Sequence, residues 1–189
     1  QSAPTLLAIL FMLLAALSNL RSHRLNLRLN YLSCHDALTG AFNRHYLERL
    51  EQGGELARLQ AGILMFDADH FKRVNDTFGH ETGDILLNLV AVRMRHCVRE
   101  QDLVARLGGD EFVILLPDTG DEVLAVADKL HRQLRDPFQL EGQELLISSS
   151  IGLALYPEHG EDAKTLMHQA DQAMYQAKHR GRGGGGVFL

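Results

Sequence analysis

Residues 106–116 read "RLGGDEFVILL", from Arg106 to Leu116, and the fold turns on this stretch. It joins two apolar runs, "LVARL" (103–107) and "EFVILL" (111–116), across Gly108 and Gly109. Two apolar runs parted by two glycines predict a β-hairpin, because glycine accepts the positive φ that tight hairpin turns require. The unusual feature is the pair Asp110 and Glu111, which opens a strand about to enter a core, where carboxylates are rarely found unless paired.

Outward from the hairpin the periodicity alternates between strand and helix. "AGILMFD" (61–67) is a short, fully apolar run ending in an acid, the pattern of a central strand. After a loop, Ile85, Leu86, Leu89, Val90, Met94, Cys97 and Val98 predict a helix over about 81–99. Val123, Val126, Ala127, Leu130 and Leu134 predict another over about 121–135. "FQLEGQELLISSSIGLALY" (138–156) reads as strands with a turn at Glu141-Gly142. A last helix over about 162–179 buries Leu166, Met167, Ala170, Ala173, Met174, Tyr175 and Ala177 on its apolar stripe. Upstream, "AFNRHYLERLEQGGELARLQ" (41–60) reads as a helix interrupted at Gly53-Gly54, and "DALTG" (36–40) as a turn. The expected fold class is α+β, a mixed sheet with helices packed on it.

The first 20 residues differ in kind. Leu6 to Leu17 is an unbroken apolar run, followed by Arg21, His23, Arg24 and Arg28. About 20 apolar residues span a bilayer, and basic residues after the run mark its cytoplasmic side, so 1–20 is expected to be part of a transmembrane helix. A signal peptide would carry its basic residues before the run, and a core helix would show a polar face. Leu25, Leu29 and Leu32 then predict a signalling or linker helix over 21–35. A chain that begins at Gln1 is expected to be a piece of a longer protein, anchored in the inner membrane with its main domain in the cytoplasm. The glycine-rich tail, 183–189, is expected to be mobile.

Composition narrows the chemistry. The 189 residues are 46% hydrophobic and 23% charged, with a formal net charge of -5, so no broad cationic surface tracks a nucleic-acid backbone. Cys34 and Cys97 have no metal-ligand spacing and form no disulfide framework. Acids collect instead at strand ends: Asp67 and Asp69 after "GILMF", Asp110 and Glu111 at the hairpin. If the hairpin neighbours that strand, Asp67 and Asp110 converge, and converging carboxylates are costly to desolvate without a cation. Mg²⁺ takes one or two carboxylates plus substrate phosphates, which points to phosphoryl or nucleotidyl transfer. "DADHFKRVND" (67–76) is no EF-hand loop, since Phe71 and Lys72 stand where that loop needs an acid or Asn and then Gly. Phe71 also argues against a haloacid-dehalogenase-like phosphatase, which wants a small residue there.

Read together, "FDADHFKRVNDTFGHETGDILL" (66–87) and "RLGGDEF" (106–112) resemble the diguanylate cyclase, or GGDEF-domain, family. "DALTGAFNR" (36–44), "SSSIGLALYP" (148–157) and "ADQAMYQAKHRGR" (170–182) are similar to its opening and closing motifs, so the resemblance runs over about 33–182, with the domain itself expected over 36–182. It implies a nucleotidyl-cyclase palm: a ferredoxin-like βαββαβ core with a mainly antiparallel central sheet flanked by helices, preceded by an N-terminal helix. It implies condensation of two GTP into cyclic di-GMP and two pyrophosphates across a homodimer. Carried over, Asp67, Asp110 and the Ala68 carbonyl would hold two Mg²⁺ (or Mn²⁺), with Glu111 and Arg106 as further catalytic residues. His70, Phe71, Lys72, Gly108, Gly109, Lys178 and Arg182 would lie along the phosphates, and Asn75 and Asp84 would read guanine. Arg99 and Asp102, the R-x-x-D of "REQD", would bind cyclic di-GMP as inhibitor. The alternative is a catalytically inactive module that binds cyclic di-GMP or GTP as a sensor. Ala41 and Ala68 replace larger residues common in the family, and glycines follow Arg182 where the family usually has Asn.

Overall fold

The central strands of the sheet are buried on both faces, and the side on which each residue of the run 61–69 points decides where the charged groups meet. The computed structural model describes residues 3–56, 61–69, 71–117, 122–140, 142–180 and 187–188; for 3–10, 61, 180, 187 and 188 this means backbone alone. In chain order the elements are α1 (Ala3–Cys34), β1 (Phe42–Asn43), α2 (Arg44–Gln52), β2 (Ala61–Asp69), α3 (Phe71–Phe78), α4 (His80–Cys97), β3 (Leu103–Gly108) and β4 (Glu111–Pro117). There follow α5 (Glu122–Arg135), β5 (Phe138–Leu140), β6 (Gln143–Leu145), β7 (Ser148–Ala154), α6 (Ala163–Arg180) and β8 (Val187–Phe188).

Two units divide at Cys34 and His35. The first is the single helix α1, which fuses the two helical segments expected over 1–20 and 21–35. Among the described residues, no helix is long and apolar enough to cross a membrane. The apolar run 6–17 lies partly in 3–10, whose side chains are outside the described set.

In the second unit the main sheet has the order β1-β3-β4-β2-β7-β8. β2 is antiparallel to β4 on one side and to β7 on the other, and β3 and β4 form the expected hairpin. The run β2-α4-β3-β4-α5-β7 is thus βαββαβ, in which each helix carries the chain over one intervening strand. This is the α+β architecture expected from the sequence. β5 and β6 pair as a separate hairpin, turning at Gly142 with φ 80°.

Side chains alternate across the sheet. Leu64, Phe66 and Ala68 of β2 pack with Phe112 and Ile114 of β4 against α4 (Leu86, Val90, Met94) and α5 (Ala127, Leu130, Leu134). Ile63 and Met65 point the other way, with Val113 and Leu115, onto Leu47 of α2 and Leu166, Ala170 and Met174 of α6. Each fully buried Leu, Ile or Phe contributes about 1.5–3 kcal/mol, so these two layers hold the sheet between its helices.

Four expectations change. The segment after β2 is helical from Phe71, not an open loop, because Phe71 buries its ring in the α4 layer. β2 runs two residues beyond Asp67, to Asp69. Part of the tail expected to be mobile, Val187–Phe188, pairs parallel with Ile151 and Gly152 of β7, which gives that edge backbone partners. Tyr175, expected in the core, is 63% exposed, because the apolar stripe of α6 passes through Ala170, Ala173, Met174 and Ala177 and leaves it outside.

Candidate active site

Strand parity builds the site. Asp67 follows Ile63 and Met65 by even steps, so it lies on the α6 face of β2, two residues past the last apolar one. Glu111 pairs directly opposite it in β4, and Ser150 opposite it in β7. On α6, Lys178 lies four residues beyond the buried Met174, on the same helical face. Its Nζ donates to Asp67 Oδ2 at 2.7 Å. Ser150 Oγ donates to Asp69 Oδ1 at 2.9 Å and fixes the second acid of "DAD".

The hairpin brings up Asp110. Gly108 pairs with Glu111, so the two-residue loop is Gly109-Asp110 and Asp110 sits at its tip. Gly108 has φ 146° and Gly109 φ 54°, and a Cβ at either would meet no protein atom within 4 Å. The glycines are therefore required by backbone conformation, and the space above the loop is open. Arg106 braces the loop from beneath. Its Nε and Nη2 donate to the Gly109 carbonyl at 2.9 and 2.7 Å, and its Nη1 to Asp36 Oδ1 at 3.0 Å. Asp36 in turn accepts from Thr39 N and Oγ1, at 2.9 and 2.7 Å. Burial alone would raise the Asp36 carboxyl, but these hydrogen bonds outweigh it and hold the pKa below its ordinary value. Arg106, expected among the catalytic residues, holds the loop through these contacts, and Asp36, read in the sequence only as turn chemistry, is its anchor.

Asp67 is the most deeply enclosed of the acids in this corner. Its side chain is 7% exposed, and Oδ1 is buried with no hydrogen-bond partner among the described residues. Burial pushes its pKa up; Lys178 opposes this without cancelling it, and the neighbouring Asp110 and Asp69 add to the rise. For Lys178 burial pulls the other way, yet the hydrogen bond to Asp67 and the charges of Asp67, Asp110 and Asp69 hold its pKa above the usual value. The two partners differ because Asp67 is the more deeply enclosed and faces like charges.

Asp67, Glu111 and Lys178 line one cavity of about 580 Å³ with Asp171, Gln172, Met174, Tyr175 and Gln176 of α6. Among the described residues, no three His, Cys, Asp or Glu side chains gather into a ready metal cage. The donors present suit a hard divalent ion completed by substrate phosphates: Asp110 at the loop tip and an orphaned Asp67 oxygen in a crowded anionic corner. Ala68 pairs opposite Ser149, its methyl in the core.

Phe71, Lys72 and Asn75 lie on α3 and Asp84 on α4. Lys72 is exposed in the first turn of α3, whereas the Phe71 ring is buried and leaves only its backbone to face a ligand. His70 and Arg182 lie outside the described residues. Asn75 packs against Gly83, where a Cβ would come within 1.9 Å of its Oδ1, and that oxygen is buried without a partner among the described residues. Asp84, next along α4, is exposed. Arg99 and Asp102 lie apart, on a cavity of about 290 Å³ lined also by His35, Gly40 and Arg95. Asp102 Oδ2 accepts the backbone N–H of Arg99 at 2.6 Å, and its Oδ1 is buried without a partner among the described residues. The Arg99 guanidinium pairs with Glu122 of α5, a contact no sequence motif signals.

Comparison with known proteins agrees with this architecture. The family model "Diguanylate cyclase, GGDEF domain" matches residues 33–184. The bifunctional diguanylate cyclase/cyclic di-GMP phosphodiesterase MucR of Pseudomonas aeruginosa is 46% identical over 166 residues, covering 85% of this chain and 24% of MucR. The chain likewise spans 38% of the diguanylate cyclase TpbB from the same species, at 42% identity over 165 residues and 84% of this chain, so it corresponds to less than half of either relative. Among solved structures, the coiled coil and GGDEF domain of DgcB from Caulobacter crescentus, in complex with c-di-GMP, superposes with a TM-score of 0.75 at 26% identity, covering 97% of this chain and 99% of that one. The chain belongs to the diguanylate cyclase GGDEF-domain family.

Proposed function

We propose that this chain is an active diguanylate cyclase that joins two GTP into cyclic di-GMP. The observation that carries the reading is the buried, half-satisfied Asp67 carboxylate facing Glu111, beside the Asp110 loop, at the mouth of a cavity able to take a nucleotide. In each half-reaction the 3′-oxygen of one GTP forms a bond to the α-phosphorus of the other, and the bond to the β-phosphate oxygen breaks to release pyrophosphate. Asp67 and Asp110 would hold Mg²⁺ or Mn²⁺, with the Ala68 carbonyl as a further oxygen donor. A divalent metal held there would supply charge to acidify the attacking hydroxyl and to stabilise the leaving pyrophosphate. Glu111, partly exposed beside Asp67, would accept the hydroxyl proton. Lys72, Lys178 and the first N–H groups of α3 would meet the phosphates, since free N–H groups at a helix start favour anions. Asn75 and Asp84 offer acceptors for the two adjacent donors of guanine, N1–H and N2–H₂. Adenine would leave Asp84 facing a lone pair instead of a donor, which disfavours it relative to guanine.

One domain holds one GTP, so turnover requires two facing domains, brought together through α1. The apolar start of α1 would be the end of a membrane helix, with the domain in the cytoplasm. Arg99 and Asp102 would bind cyclic di-GMP and restrain the enzyme. The test is incubation of the chain with GTP and Mg²⁺ and detection of cyclic di-GMP. Product is expected from wild type and none from Asp110→Ala, while Arg99→Ala should keep turnover and lose product inhibition. A demonstrably dimeric sample that binds GTP but makes no product would overturn the enzyme reading in favour of a nucleotide sensor.

A further inference from the structure

The cation that neutralises Asp67 belongs to the protein itself. Lys178 Nζ reaches the carboxylate from α6 and holds Oδ2 at 2.7 Å, in the corner that also contains Asp69, Asp110 and Glu111. Among the described residues, two further cations at the hairpin are committed elsewhere: Arg106 to Gly109 and Asp36, and Arg44 Nε to the Leu107 carbonyl at 3.1 Å. Lys178 is not locked in place. Its side chain is 38% exposed, on a flexible four-carbon stem, and it lines the same cavity as Asp67, so the ammonium can swing outward without backbone movement.

We propose that Lys178 is a built-in counter-cation that occupies the Asp67 carboxylate until nucleotide arrives. This deepens the cyclase reading and rests on it. An ammonium ion and a divalent ion cannot share one carboxylate corner without strong repulsion. The ammonium leaves Asp67 when a triphosphate offers it a better anion, and the carboxylate is then free for the divalent ion. The bare acidic corner is thereby kept from binding metal ahead of substrate, and metal and nucleotide become mutually dependent ligands.

The experiment titrates Mn²⁺ into the full chain without nucleotide, following free Mn²⁺ by electron paramagnetic resonance. Lys178→Met is expected to bind Mn²⁺ at least about tenfold tighter than wild type, the scale of a lost charge-assisted hydrogen bond. A non-reactive α,β-methylene analogue of GTP should tighten Mn²⁺ binding in wild type more than in Lys178→Met. If Lys178→Met does not fold, Lys178→Arg decides: a guanidinium grips a carboxylate more firmly, so Mn²⁺ binding should weaken several-fold. Unchanged or weaker Mn²⁺ binding in Lys178→Met, with Asp110→Asn losing the ion, overturns the counter-cation role and leaves the metal site standing. Should Asp110→Asn bind Mn²⁺ as wild type does, the metal-site reading fails and this proposal fails with it.

Discussion

Gly152→Ala is expected to be among the most damaging small substitutions in this domain, although it adds one methyl group. Gly152 faces α6 from the middle of β7, and a Cβ there would lie 1.9 Å from the Ala170 carbonyl oxygen, 2.3 Å from Met174 N and 2.8 Å from Met174 Cα. All three are backbone atoms, so no side chain can turn aside. Ordinary contact begins at 3.4 Å, so α6 has to retreat by roughly 1.5 Å. That retreat unseats Leu166, Ala170 and Met174, which are 1%, 0% and 4% exposed. Overpacking typically costs about 1–3 kcal/mol, and a backbone obstacle places this case near about 3 kcal/mol. For a domain of this size that corresponds to a fall in Tm of about 6–12 °C. The same retreat would stretch the 2.7 Å contact between Lys178 and Asp67. Urea titration and thermal melting measure the first effect, and Mn²⁺ binding the second. A loss below about 0.5 kcal/mol, within the range of an ordinary surface substitution, would refute the close seating of α6 on β7.

Gly83→Ala meets a softer obstacle, the Asn75 Oδ1, which can rotate away. Alanine is also favoured over glycine inside a helix by about 1 kcal/mol, so stability should hold while GTP affinity falls several-fold; unchanged preference for GTP over ATP would remove Asn75 as a base reader. Asp36→Asn tests the brace under the hairpin through pH. The folded pKa of Asp36 lies below its ordinary 3.8, so its stabilisation is fully present above 3.8 and is lost as pH falls through the folded value. The stability gap between wild type and Asp36→Asn, measured by urea titration, should be constant above about pH 5 and close on acidification; a gap that persists unchanged to about pH 2 would show that the carboxylate charge does not hold Arg106.

The hairpin, the strand ending in acids and the main helices were legible because their signals are local. Two glycines needing positive φ, a run of apolar residues too short for a helix and the 3.6-residue stripe of α6 each declare themselves within a dozen residues. The start of α3 was less legible: "HFKRVNDTF" is polar, and its helix is fixed by Phe71 burying its ring against α4. Tyr175 was misplaced because a stripe read from spacing has no edge, and the packing of α6 on β7 draws one between Met174 and Tyr175. Asp36 and Glu122 left little sequence signal, since their partners, Arg106 and Arg99, are 70 and 23 residues away.

The chemistry of the site was set by residue types the sequence displays: paired acids at two strand ends, a loop that only glycine can form and a lysine near the end of the last helix. Their arrangement was not. "GILMF" is apolar at every position because β2 is covered on both faces, so it carries no alternation from which to tell which way Asp67 points. Only the sheet order, with β4 and β7 on either side of β2 and α6 seated on Gly152, turns Asp67 toward Lys178 and Glu111. Side-chain direction in a strand reverses at every residue, and the helix that covers each face is chosen by long-range packing, which no local stretch of sequence encodes.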